Sequence, residues 1–260
     1  MCLIALAWQA HPRWPLVMIA NRDETHARPT APAGPHPDAP DVHGGRDLVA
    51  GGSWLLASSR GRMAAVTNVR DGAPAPDRPR SRGALVDGFV RGQADGPAFA
   101  EALAGTADQY GRFNLLLWDG RSLHFCSNHP AFVAHAVSPG IHAMSNGAFD
   151  APWPKAGAAT QRLQAWLAAE DHAGPAGQAD TAPLFEALAD TTVADPDLLP
   201  DTGVGHTLER FLSPVFILGQ DYGTRSSTVL LAGPEGIDFE ERRFGPVGAA
   251  LGGNRVRLGR

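Results

Sequence analysis

The chain has 260 residues, 43% of them apolar and 19% charged, enough to bury a sizeable core in one domain. Its net charge of -5 builds no field for nucleic acid or anionic lipid, so no nucleic-acid partner is expected. Two cysteines, Cys2 and Cys126, are too few for a disulfide framework or a cysteine-built zinc site and fit a reducing compartment.

The first eight residues, Met1-Cys2-Leu3-Ile4-Ala5-Leu6-Ala7-Trp8, read as a strand buried on both faces, because a short apolar run bounded by turn residues lacks helical spacing. The run has no basic leader, and no stretch of about 18 apolar residues appears elsewhere, so the expectation is a cytoplasmic protein without a membrane span. Chain ends normally fray, whereas this one reads as core. Removal of Met1 would leave Cys2 carrying a thiol and a free α-amine, a nucleophile and a base in one residue. An α-amine titrates near about 7.7–8.0 and can take the thiol proton at neutral pH. The alternative is a small thiol that only packs.

Leu16 to Ala20 is a second apolar strand, joined to the first by the Pro-containing link His11 to Pro15 as an antiparallel hairpin. It runs into Asn21-Arg22-Asp23-Glu24, four polar residues that either face Cys2 or form a solvated turn with an internal ion pair. Pro29 to Pro40 is read as a loop without periodicity. His26, His36 and His43 lie near one another, but none of the spacings is that of a zinc helix, and no metal is expected. Gly51 to Ala57 and Arg62 to Asn68 read as a hairpin, with Asn68 at a strand end, where its amide either donates to an oxyanion or caps a turn. Asp71 to Pro79 is a loop. Ser81 to Val90 is a helix with Ser81 at its N-cap, followed by a weaker helix from Pro97 to Ala104.

A second block of strands covers Phe113 to Trp118, Ser122 to Cys126, Phe132 to Val137 and Ile141 to Ser145, with Cys126 as a packed thiol and Asn146 at the last strand end. Helices are predicted from Lys155 to Ala169 and from Thr181 to Asp190. Asp195 to Gly205 reads as a surface excursion. Val215 to Leu218 reads as a strand, Gln220 to Arg225 as a loop, and Ser226 to Ala232 with Ile237 to Arg242 as a final hairpin. Strands and helices fall in separate blocks, which predicts an α+β fold with antiparallel sheets.

The ordered set Met1-Cys2-Leu3-Ile4, Ala20-Asn21-Arg22-Asp23-Glu24, Gly51-Gly52-Ser53-Trp54-Leu55, Thr67-Asn68, Arg80-Ser81-Arg82-Gly83, Phe113-Asn114-Leu115, Ser145-Asn146, Pro152-Trp153-Pro154-Lys155 and Tyr222 to Thr228 resembles the NRDE family, which includes transport and Golgi organisation protein two. That family in turn resembles the cysteine branch of the N-terminal nucleophile hydrolases. The resemblance implies a four-layer αββα sandwich, a small-molecule acyl or amide substrate and no cofactor. It also implies Cys2 as nucleophile, Asp23 as partner of its amine, and Asn68 and Asn146 as oxyanion donors.

Arg22 is carried over as the group that tunes the thiol, although the branch places its Arg three residues before its Asp and here the two are adjacent. Successive strand residues face opposite ways. If only one face is used, Asn21 goes with Asp23. Arg225 is carried over as a supporting Arg on proximity alone, and Asn21 and Trp54 as substrate contacts. The rival expectation on the same fold is a non-catalytic carrier of lipid, acyl-CoA or haem.

Overall fold

In the computed structural model, which describes residues 2–73, 78–169 and 179–259, the opening apolar runs form strands β1 (Cys2–Trp8) and β2 (Leu16–Thr25). Strands β3 (Thr30–His36), β4 (Ala39–Asp47), β5 (Leu55–Ser58) and β6 (Arg62–Asn68) follow, then helices α1 (Gly83–Arg91) and α2 (Gly96–Ala104). The second block is β7 (Phe113–Trp118), β8 (Leu123–Ser127), β9 (Val133–Ala136) and β10 (Gly140–Met144). Helices α3 (Pro154–Leu167), α4 (Ala182–Leu188) and α5 (His206–Phe211) lead to β11 (Tyr222–Gly233), β12 (Gly236–Phe244) and β13 (Ala250–Gly259). A six-stranded sheet has the order β10-β1-β2-β11-β12-β13, and a seven-stranded sheet runs β3 to β9 in sequence order. Every strand pairing in both is antiparallel.

Side-chain alternation along β1 explains the layers. Ile4, Leu6 and Trp8 point to the other sheet and pack with Leu55, Met63 and Leu116, while Leu3, Ala5 and Ala7 pack beneath Leu163, Trp166 and Leu184 of α3 and α4. The outer face of the second sheet, with Leu56, Leu115 and Leu117, is covered by Leu85 and Phe89 of α1. Fully burying each such side chain is worth about 1.5–3 kcal/mol. The result is the αββα sandwich expected, with the N-terminal strand inside it. Cys126 lies in the outer core at 0% exposure, where burial pushes its thiol up to about 12. No helix among the described residues is long and apolar enough to cross a membrane.

Several elements differ from expectation. Pro29 to Pro40, read as a loop, lies in the β3–β4 hairpin. Pro32 and Pro35 are tolerated because β3 is an edge strand, with register shifts between Ala31 and Gly34 and between Pro35 and His36. The strand expected from Gly51 begins only at Leu55, since Gly51 and Gly52 adopt φ of +66° and +72°. Val215 to Ile217 is buried and Leu218 exposed, and the segment pairs with neither sheet among the described residues: its backbone groups bond to Asp190, Asn21 and Thr224 instead. β11 starts at Tyr222, inside the expected loop. Of the loop from Asp71 to Pro79, residues 74–77 lie outside the described residues, as does Met1.

Candidate active site

Antiparallel pairing of β1 with β2 sets Cys2 directly opposite Arg22, and Leu3 opposite Asn21. Directly opposed residues share a face, so Cys2 and Arg22 point between the sheets and Asn21 points to the helices. Asn21 is 1% exposed and its amide is fully engaged: Nδ2 donates to the Leu188 and Val215 carbonyls at 2.8 Å each, and Oδ1 accepts from the Ser227 hydroxyl at 2.6 Å. The substrate contact expected of Asn21 is therefore corrected to a fastener between β2 and the helical layer.

Asp23 ends the buried part of β2. Its carboxylate accepts from Thr224 Oγ1 at 2.7 Å. Burial pushes the Asp23 carboxyl up, while Lys155 and the Thr224 hydroxyl pull it down. Burial likewise pushes the Cys2 thiol up; the Asp23 charge adds to that and Arg22 opposes it. Lys155, the second residue of α3, is 4% exposed, donates to the Leu212 carbonyl at 3.1 Å, and is pushed down by burial against the attraction of Asp23.

The Asn pair closes the other side. Asn146 is 0% exposed, and its Nδ2 donates to the Asn68 carbonyl at 2.8 Å and to Asn68 Oδ1 at 3.1 Å. Asn68 lines the cavity beside Cys2, and Asn146 stands behind it. With Oδ1 held, the Asn68 amide nitrogen has no protein acceptor among the described residues. The ends of β6 and β10 are stitched across the two sheets: Thr67 donates to the Ser145 carbonyl at 2.6 Å and Ser145 to the Cys2 carbonyl at 3.0 Å.

The cavity measures about 550 Å³, and Cys2, Arg22, Asp23, Trp54, Asn68 and Arg82 are among its walls. The Arg22 guanidinium stacks 4.2 Å from the Trp54 ring centre and lies 3.8 Å from Glu24. Arg225 is the extra residue of a β-bulge opposite Arg22 and Asp23, and donates to the carbonyls of Thr25 at 2.9 Å and Arg28 at 2.7 Å. It clamps the turn after β2 and is not a cavity wall. Arg82 and Lys155 lie in strings that carry the family resemblance, yet nothing in their local sequence distinguishes a wall or a buried cation from a surface charge.

The Gly51 to Trp54 loop is set by glycine. A Cβ on Gly52 would lie 2.5 Å from the Gly83 carbonyl carbon at a φ of +72°, and the Ser53 N–H donates to the Gly83 carbonyl at 3.4 Å. Gly52→Ala is expected to cost about 1–3 kcal/mol from backbone strain, with the clash in addition. Gly34→Ala, where a Cβ meets nothing within 4 Å, is the control in urea unfolding. Equal midpoints for the two variants would contradict this account.

Among the described residues no group of three His, Cys, Asp or Glu side chains is placed to hold a metal ion. The arrangement offers a thiol, a buried carboxylate, a carboxamide donor and guanidinium groups around one polar cavity, the parts needed for nucleophilic attack on a carbonyl.

Among solved structures the chain is similar to a Caenorhabditis elegans N-acylethanolamine-hydrolyzing acid amidase ortholog, with a TM-score of 0.53 and 11% identity over 88% of this chain and 92% of that one. It is also similar to a mutant conjugated bile acid hydrolase from Clostridium perfringens, with a TM-score of 0.50 and 9% identity over 98% and 92% of the two chains. At such identities the likeness shows the fold alone, that of the N-terminal nucleophile hydrolases. Sequence relatives are the Transport and Golgi organization 2 homolog of Mus musculus, 26% identical, and the protein 2 homolog of Homo sapiens, 28% identical, each over 93% of this chain and 92% of its own length. The family description Transport and Golgi organisation 2 matches residues 1–246, and the chain belongs to that family.

Proposed function

We propose that this protein is an N-terminal cysteine hydrolase that cleaves an amide or related acyl bond of a small molecule once Met1 has been removed. The observation that carries the reading is the convergence of Cys2, Asp23 and Asn68, from three separated segments, on one cavity. In the proposed cycle the Cys2 α-amine takes the thiol proton and the sulfur attacks the carbonyl carbon. The oxyanion forms against the Asn68 amide. The amine then gives its proton to the departing nitrogen, the C–N bond breaks, and water hydrolyses the thioester to return the thiol. Asp23 holds the ammonium form. Burial raises the thiol, so a base within the same residue supports the reading. The cavity walls also support it over lipid or haem carriage, since Ala50, Trp54, Val66 and Pro79 are their only non-glycine apolar members among the described residues.

The test is the intact mass of purified protein before and after exposure to p-nitrophenyl acetate. The expected results are a chain that begins at Cys2 and one acetyl group mapped to that residue. Full turnover by protein that retains Met1 would overturn the reading. Asn68→Ala is expected to lower kcat by about 10²–10³-fold, as loss of an oxyanion donor does elsewhere. Asn146→Ala should give a smaller fall, because it acts by orienting Asn68. A larger loss from Asn146→Ala than from Asn68→Ala, at equal stability, would reverse the two roles.

A further inference from the structure

Charge around the cavity is unevenly balanced. Arg22 lies 3.8 Å from Glu24, and Arg28 is 2.8 Å from Asp47, so these two cations are matched within the wall itself. Arg80 and Arg82 line the same cavity, and among the described residues neither has a carboxylate within 4 Å. Among the described residues the Arg80 side chain reaches only Tyr110, its hydroxyl at 3.3 Å and its ring centre at 5.9 Å, and Arg82 donates only to the Arg112 carbonyl, at 3.2 Å. Each contact occupies one of the several donors of a guanidinium.

The segment that carries them is held in place. The Arg80 N–H donates to the Gln109 carbonyl at 3.1 Å, and Gly83 abuts the Gly52 backbone so closely that a side chain on either fits poorly. Two guanidinium groups at one wall, with donors unused and no carboxylate within 4 Å among the described residues, match a planar or tetrahedral oxyanion.

Resting on the reading of Cys2 as nucleophile for the identity of the substrate, we propose that Arg80 and Arg82 form an oxyanion subsite. The molecule cleaved would then carry a carboxylate or phosphoryl group within a cavity's length of its scissile carbonyl. Neutral amides without such a group are poor substrates.

The test is independent of turnover. Cys2 is alkylated with iodoacetate and with iodoacetamide, reagents that displace iodide by the same thiolate and differ in charge, and labelling is followed by peptide mass. N-acetylcysteinamide is the reference thiol. The iodoacetate to iodoacetamide rate ratio at Cys2 is expected to exceed that of the reference by about tenfold at low ionic strength and to fall with salt. Arg80→Gln with Arg82→Gln should return the ratio to the reference value, while Arg82→Lys keeps part of the preference. Any change in thiolate fraction alters both rates equally and cancels, and a normal iodoacetamide rate shows that the variants have kept the site.

Protection of Cys2 by inorganic phosphate at lower concentration than acetate assigns a phosphoryl group; the reverse order assigns a carboxylate. A ratio equal to the reference in wild-type protein, or one unmoved by the double substitution, overturns the subsite. Neither result bears on whether Cys2 forms a thioester, which the acetylation experiment reads separately.

Discussion

Cys2→Ala abolishes turnover, with a fall of about 10⁴-fold or more expected, because a nucleophile that forms the covalent intermediate has no substitute in the site. The side chain is half-buried and its removal leaves the β1 pairing with Arg22 and the core residues Leu3 and Ile4 untouched. Stability in urea should change by less than about 1 kcal/mol, so loss of activity cannot be assigned to unfolding. Cys2→Ser separates nucleophilicity from architecture: it retains the α-amine beside an oxygen, and should keep a small residual rate where alanine keeps none. Activity in preparations of mixed processing should scale with the fraction of chains that begin at Cys2. Cys2→Ala that turns over substrate at the wild-type rate would remove the thiol from the mechanism. Cys126 does not confuse the measurement, since it is fully buried with its thiol pushed up to about 12.

The strands that build this site were legible where burial is two-sided. Cys2 to Trp8 and Leu16 to Ala20 are apolar on consecutive residues because helices cover one face and a second sheet the other. The β3–β4 hairpin and β13 were not. β3 and β13 are edge strands, and the exposed Ala250 to Asn254 run carries glycine where alternation would otherwise show. Val215 to Leu218 misled in the opposite direction: three of the four apolar residues, Val215 to Ile217, are buried there as a linker whose backbone groups serve Asn21 and Thr224. At the site, Cys2, Asp23 and Asn68 could be named from an ordered set of motifs. Their facing could not, because the bulge at Arg225 and the register that opposes Cys2 to Arg22 are properties of strand pairing. Lys155 is the sharpest case. A lysine after Trp153-Pro154 at a helix start carries no local sign of burial, and only the packing of α3 on β1 encloses it near Asp23.

Lys155→Met is expected to destabilise the protein by about 1–3 kcal/mol, from loss of the Leu212 hydrogen bond and of the cation that draws most strongly on the buried Asp23 carboxylate. Asp23 is 1% exposed and Lys155 4%, so water cannot replace the lost cation at either position. The pH dependence has a definite sign. Lys155 pulls the Asp23 carboxyl down against burial, so its removal lets that carboxyl rise further above the unfolded value near about 3.9. Between those two values the native state binds a proton that the unfolded state does not, and stability falls as pH increases. The deficit relative to wild type should therefore be smallest in mild acid and grow toward neutrality, up to the raised Asp23 value. Adding Asp23→Asn to Lys155→Met removes the carboxylate charge while keeping an acceptor for the Thr224 hydroxyl. The double variant should recover most of the loss and lose the pH slope, so that the two substitutions are strongly non-additive. Additive losses with a flat pH profile would mean that Lys155 stabilises the fold through its bond to the Leu212 carbonyl alone, and not through the charge at Asp23.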